Sequence, residues 1–99
     1  MEYKLIRLLS GEELLCSVIE QNATTFIIEN VLIIYHQVDE RRNQVTVSFA
    51  PFMPHSEGKL TLNTHAIAAI SDPKSQLVDQ YRQMFSNIII APTLPQKFS

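Results

Sequence analysis

Three histidines, one cysteine and two asparagine-threonine stretches hold most of the chemistry available to this chain. His36, His55 and His65 are spaced too widely to read as a zinc motif, which gathers its ligands at short intervals. Cys16 sits in an alternating apolar stretch, where a thiol is packing material rather than a nucleophile. Ser10 and Ser48 have no base arrangement beside them, and Asp39, Glu40 and Glu57 fall in polar loop sequence. Neither an activated nucleophile nor a carboxylate pair is legible, so the expectation is a non-catalytic protein with no cofactor and no metal.

Hydrogen-bonding and stacking chemistry remains. Asn22 with Thr24, and Asn63 with Thr64 and His65, combine donors and acceptors with an imidazole, which suits the edge of an unstacked nucleobase. Asn22 is equally a natural turn former. Tyr35 ends an apolar run and is a candidate stacking platform, whereas Phe26, deeper in that run, reads as core. Lys59, together with Arg7, offers a cation to a phosphate; either also serves as an edge-strand charge that discourages mispairing. Arg41 and Arg42 follow Asp39 and Glu40, so their charges cancel and a solvated hairpin tip is expected.

Composition narrows the classes further. Eight basic against ten acidic residues give a net charge of -2, which excludes holding nucleic acid by charge alone. With two glycines, the chain has no glycine-rich phosphate loop. One cysteine excludes an internal disulfide framework. The opening MEYKLIRLL has no basic leader followed by a long apolar stretch, so a cytoplasmic, non-membrane protein is expected. Ninety-nine residues make one domain, and at 18% charged the surface is sparing enough to hide part of itself against another copy.

The elements that must position these residues read as a mostly β chain. Strands are expected over 3–9, 12–21, 26–38, 44–50, 59–62 and 65–70, the last two forming the final sheet material. A helix over ELLCSVIE would have only two turns, too short to stand alone, so a strand is preferred there. The run from Phe26 to Val38 is long for a strand, which predicts a strong bend or a break, with Asn30 the favoured point. Val45, Val47 and Phe49 alternate with Gln44, Thr46 and Ser48 as in a half-buried strand. Asp72-Pro73 reads as an N-cap and first helical position, opening a helix over about 73–86 with Leu77, Tyr81 and Met84 on one face. The expected whole is five strongly bent antiparallel strands as a sheet core over 3–71, a C-terminal helix, and a tail over 87–99 whose IIIAP segment forms a short strand or packs under the sheet.

Two segments carry a family resemblance. LSGEELLCSVIEQNATTFIIENV, from Leu9 to Val31, resembles the first motif of the Sm, LSm and Hfq proteins: apolar strand, glycine turn, second strand, Asx turn, apolar strand. LNTHAIAAISDP, from Leu62 to Pro73, is similar to the second motif of Hfq, with His65, Ala66, Ile67 and Ile70 at matching positions and Thr64 where Hfq carries Lys. Asn63-Thr64 stands where the Sm and LSm branch has Arg-Gly, Cys16 replaces a strand glycine, and the helix follows the sheet instead of preceding it. The chain thus resembles a divergent Sm-like protein, of the kind small marine-phage genomes carry. The resemblance implies a small five-stranded barrel, a homo-oligomeric ring closed by strand pairing between copies, and binding of single-stranded RNA or DNA near the central opening by Asn22, Thr24, Asn63, Thr64 and His65. The alternative implied by the acidic balance is an assembly protein whose ring or C-terminal helix docks a protein partner.

Overall fold

The computed structural model describes residues 2–90. Its order is β1 (Glu2–Leu8), β2 (Glu13–Gln21), β3 (Thr25–Asp39), β4 (Gln44–Pro51), β5 (Leu60–Asn63), a 3-10 turn (Thr64–Ala66), β6 (Ile67–Ser71) and α1 (Ser75–Ile90). The strands make one antiparallel sheet in the order β4-β3-β2-β1-β6, with β5 paired to β3. The fold is therefore mostly β with one helix at its C-terminal side. None of the helices among the described residues is long and apolar enough to cross a membrane.

Six strands form rather than five. The 3-10 turn sends Leu60–Asn63 and Ile67–Ser71 to different partners, β5 to β3 and β6 to β1, so they are separate elements. The sheet is also open rather than a closed barrel, because β5 and β6 are joined through the turn and not by a ladder.

The bend in β3 is a bulge. Leu15 pairs with Leu32 and Ser17 with Glu29, so Cys16 alone faces both Asn30 and Val31. Asn30 takes φ 53°, a left-handed conformation that asparagine tolerates better than β-branched residues do. The extra residue inverts the side-chain phase. Phe26 and Ile28 before it, and Val31 and Ile33 after it, therefore all contribute to one inner core with Ile6, Leu14, Cys16 and Val18. On the opposite face Leu15, Leu32 and Ile34 pack beneath α1, against Leu77, Tyr81, Met84 and Phe85. Central β2 is consequently buried on both faces: Leu14, Leu15 and Cys16 are inaccessible, and Ser17 is nearly so.

The helix is fixed by Tyr81. Its ring meets Tyr3 edge-on at 5.5 Å and Phe85 at 4.9 Å. Its hydroxyl lies 3.1 Å from Ser17 Oγ and donates to the Asn30 carbonyl at 2.7 Å. The helix begins at Ser75, two residues later than the Asp72-Pro73 signal predicts, and runs through Ile90. Asp72 does not cap it: the carboxylate is taken by Lys4 Nζ at 2.6 Å. Ile88–Ile90 are helical, not a further strand; the remainder of the expected tail, residues 91–99, lies outside the described residues.

Burial pushes the Tyr81 phenol from 10.0 up to about 12 and the Cys16 thiol from 9.0 up to about 12. The folded chain thus keeps protons that the unfolded chain releases from about pH 9–10. Stability is full below that range and is lost as pH climbs toward 12. Tyr81→Phe leaves Ser17 Oγ and a bulge carbonyl without their partner and should cost about 1–3 kcal/mol in urea unfolding at pH 7. The same variant should lose stability less steeply than wild type between pH 10 and 12; equal slopes would show that the phenol does not titrate with the fold.

Candidate nucleic-acid interface

The turn between β2 and β3 is organised by one side-chain oxygen. Asn22 Oδ1 accepts from the Thr24 and Thr25 backbone N–H groups at 2.9 and 3.0 Å. It also accepts from both threonine hydroxyls at 3.2 Å. Asn22 N–H in turn donates to the Thr25 carbonyl at 2.9 Å. The side chain thereby supplies the acceptor that an isolated turn would lack.

Asn63 plays the matching role at the end of β5. Its Oδ1 accepts from His65 N–H at 2.9 Å and caps the 3-10 turn, whose own last residue, Ala66, receives the Leu9 N–H at 2.8 Å. Thr64 then stitches the two turns together. Its N–H donates to the Thr24 carbonyl at 2.9 Å. Its hydroxyl proton is shared between the Ala23 carbonyl at 3.2 Å and the Thr24 carbonyl at 3.1 Å. Thr25 and Asn63 are paired in the β3–β5 ladder directly beside this stitch.

Asn22, Thr24, Asn63, Thr64 and His65 are therefore brought together on one edge of the molecule. All are exposed except Thr64, which is half-buried. The chemistry they leave over is unequal. Both Asn oxygens are committed to the turns, so the amide Nδ2 groups remain as donors beside the His65 ring. None of the five carries a carboxylate. Such a surface fits acceptors: base carbonyls and phosphate oxygens.

Tyr35 and Lys59 lie apart from this group. Tyr35 is ten positions along β3 from Thr25 and lines a separate cavity of about 370 Å³ with Arg7, Glu13 and His36. There Glu13 pairs with Arg7 at 3.1 Å and His36 at 3.3 Å, so the Arg7 charge is already engaged. Lys59 stands just before β5, four positions from Asn63, or roughly 13 Å of extended strand. At the hairpin tip Arg42 reaches Asp39 at 3.8 Å. Among the described residues, His, Cys, Asp and Glu form no group of three or more able to hold a metal ion. Sequence reading passed over Thr25 and the Ala23 carbonyl. The doubled threonine after Asn22 was a visible signal for the first, whereas the second depends on Thr64, which lies 41 positions away in the chain.

The turn engages Asn22 Oδ1 and leaves Nδ2 as an exposed donor, so the two can be tested separately. Asn22→Ala strips the shared acceptor from four donors and should cost about 1–2 kcal/mol in chemical denaturation. Asn22→Asp keeps the acceptor and should remain within about 0.5 kcal/mol of wild type; an Asp variant as unstable as Ala would show that the oxygen does not organise the turn. No protein-family model matches this chain, and no curated protein matches it.

Proposed function

We propose that this chain is a non-catalytic, Sm-like protein that assembles as a homo-oligomeric ring and binds single-stranded RNA, or single-stranded DNA, through the stitched turns. The observation that carries the reading is the donor surplus at Asn22, Asn63 and His65, in a group of five side chains that includes no carboxylate. Unstacked bases expose their edges to small polar pockets, which a duplex groove does not. Uracil offers two carbonyl oxygens, O2 and O4, to such donors, whereas adenine offers ring nitrogens beside a donor amine, so a uridine-rich strand is the better match.

Local features support the Sm-like reading. The apolar strand, glycine turn, second strand, Asx turn and third strand run as β1, Gly11, β2, Asn22 and β3, with Gly11 at φ 105° where the turn needs a residue without Cβ. Thr64–Ala66 forms the crossing from β5 to β6. The sheet order ends on β4 and β6, whose outer edges have no ladder among the described residues. Pairing β4 of one copy with β6 of the next satisfies both edges and repeats until the rotation closes. Each copy contributes one weak pocket, and a strand visiting several gains avidity without a basic surface.

Titration of fluorescent uridine-rich and adenosine-rich oligonucleotides at physiological salt tests the site. Wild type should bind the uridine-rich strand more tightly, and Asn63→Ala with His65→Ala should weaken it by about tenfold or more across several pockets. Unchanged affinity in the double variant would remove the assignment. Sedimentation equilibrium on the same samples should give an oligomer, and a monomer at micromolar concentration would overturn the ring.

A further inference from the structure

Neither edge strand of the sheet carries a charge. β4 reads QVTVSFAP and β6 reads IAAIS, and neither outer edge has a ladder among the described residues. Edges that stay open to water usually bear lysines or other charges that discourage pairing. The two edges are also complementary in size, face by face. On the inner-core face β4 places Ser48 opposite Tyr35 and Ala50 opposite Ile33, whereas β6 places Ile70 opposite Ile6. On the helix face β4 carries Val47 and Phe49, whereas β6 carries Ala69 and Ser71. Small residues of one edge thus answer large residues of the other on both faces. We propose that the seam between copies pairs β4 with the next β6 antiparallel, Ser48 directly opposite the partner's Ile70, and that Tyr35 closes over that isoleucine. The inference rests on the ring reading and gives Tyr35 a place in the seam instead of on the nucleic acid.

Exposure selects this register. Tyr35 and Ile70 are 49% and 41% exposed, although both belong to the inner-core face. With Ser48 opposite the partner's Ile70, Tyr35 lies two strand spacings from that residue, roughly 9.6 Å. Serine is short enough for the aromatic ring to lean across it, and aromatic with β-branched neighbours on one face stabilise a sheet. On the helix face the same register sets Val47 beside the partner's Ser71 and Phe49 beside the partner's Ala69. Sliding by one residue turns each face of β6 to the wrong side. Sliding by two puts Gln37, or Ile33 that already packs against the core, in the place of Tyr35. A two-fold pairing of β4 with another β4 would set large against large on the helix face and small against small on the inner one, and would leave Ile70 bare.

Cysteine cross-linking of the full chain tests the seam. Directly opposed residues of an antiparallel pair lie within disulfide reach, and the native Cys16 is buried. Oxidised with diamide, Ser48→Cys with Ile70→Cys should give a ladder of covalent oligomers on a non-reducing gel. Thr46→Cys with Ile70→Cys, two residues out of register, should cross-link far less. Tyr35→Ala should weaken assembly by about tenfold or more in sedimentation, whereas Tyr35→Phe keeps it; neither substitution touches the buried core, so both variants report on the seam. An oligomer in which the first cysteine pair gives no ladder, or in which the out-of-register pair links as readily, would overturn the seam and leave the ring standing. Covalent dimers from Ser48→Cys alone, with nothing larger from the pair, would replace it with a two-fold contact. A monomer at micromolar concentration would remove the ring and the seam together.

Discussion

A phenolic hydroxyl and a bulge depend on each other. Inserting one extra residue at Asn30 lets β3 bend, but it also breaks the regular exchange of backbone hydrogen bonds with β2. Tyr81 meets the resulting need from outside the sheet, donating to the Asn30 carbonyl and lying within reach of the Ser17 hydroxyl. Among the described residues Ser17 is the buried polar residue of the core, and the phenol is its partner. Buried polar groups of this kind cost free energy unless they are paired. The helix is therefore more than an apolar cover for Leu15, Leu32 and Ile34: it completes the hydrogen bonding of the strand it covers.

The bend decides where the turns go. On its free side, β3 pairs with β5 over Thr25–Ile28 and with β4 over Leu32–Asp39, the bulge lying between the two ladders. A straight strand of that length would offer a single continuous edge. Divided in this way, the strand holds Asn63 opposite Thr25, and the 3-10 turn that follows can reach back with Thr64 to Ala23 and Thr24. Packing beneath the helix is thus connected, through β3, to the placement of exposed asparagine and histidine side chains. The exposed polar group is donor-rich because the acceptor oxygens of Asn22 and Asn63 are consumed in shaping the turns.

Much of this was legible where local signals act alone. The alternation from Gln44 to Phe49, the turn at Asn22, the irregularity at Asn30 and the helical spacing of Leu77, Tyr81 and Met84 all express short-range chemistry. Legibility failed where a distant partner intervened. Asp72 has the form of a helix cap, yet Lys4, 68 positions away, takes its carboxylate and the helix starts later. Leu60–Asn63 and Ile67–Ser71 read as neighbouring pieces of one hairpin, but their ladder partners lie in β3 and β1. Tyr35 reads as a stacking platform because it closes an apolar run, but along β3 it lies ten positions from Thr25, beside Arg7, Glu13 and His36.

The central claim is that the stitched turns, and not the helix or the hairpin tip, meet a single strand. Photo-crosslinking the assembled protein to an oligonucleotide carrying 4-thiouridine, followed by peptide mapping, tests it most directly. The account predicts crosslinks within residues 22–25 and 63–65. Crosslinks confined to α1 or to residues 39–43, with none at the two turns, would contradict it.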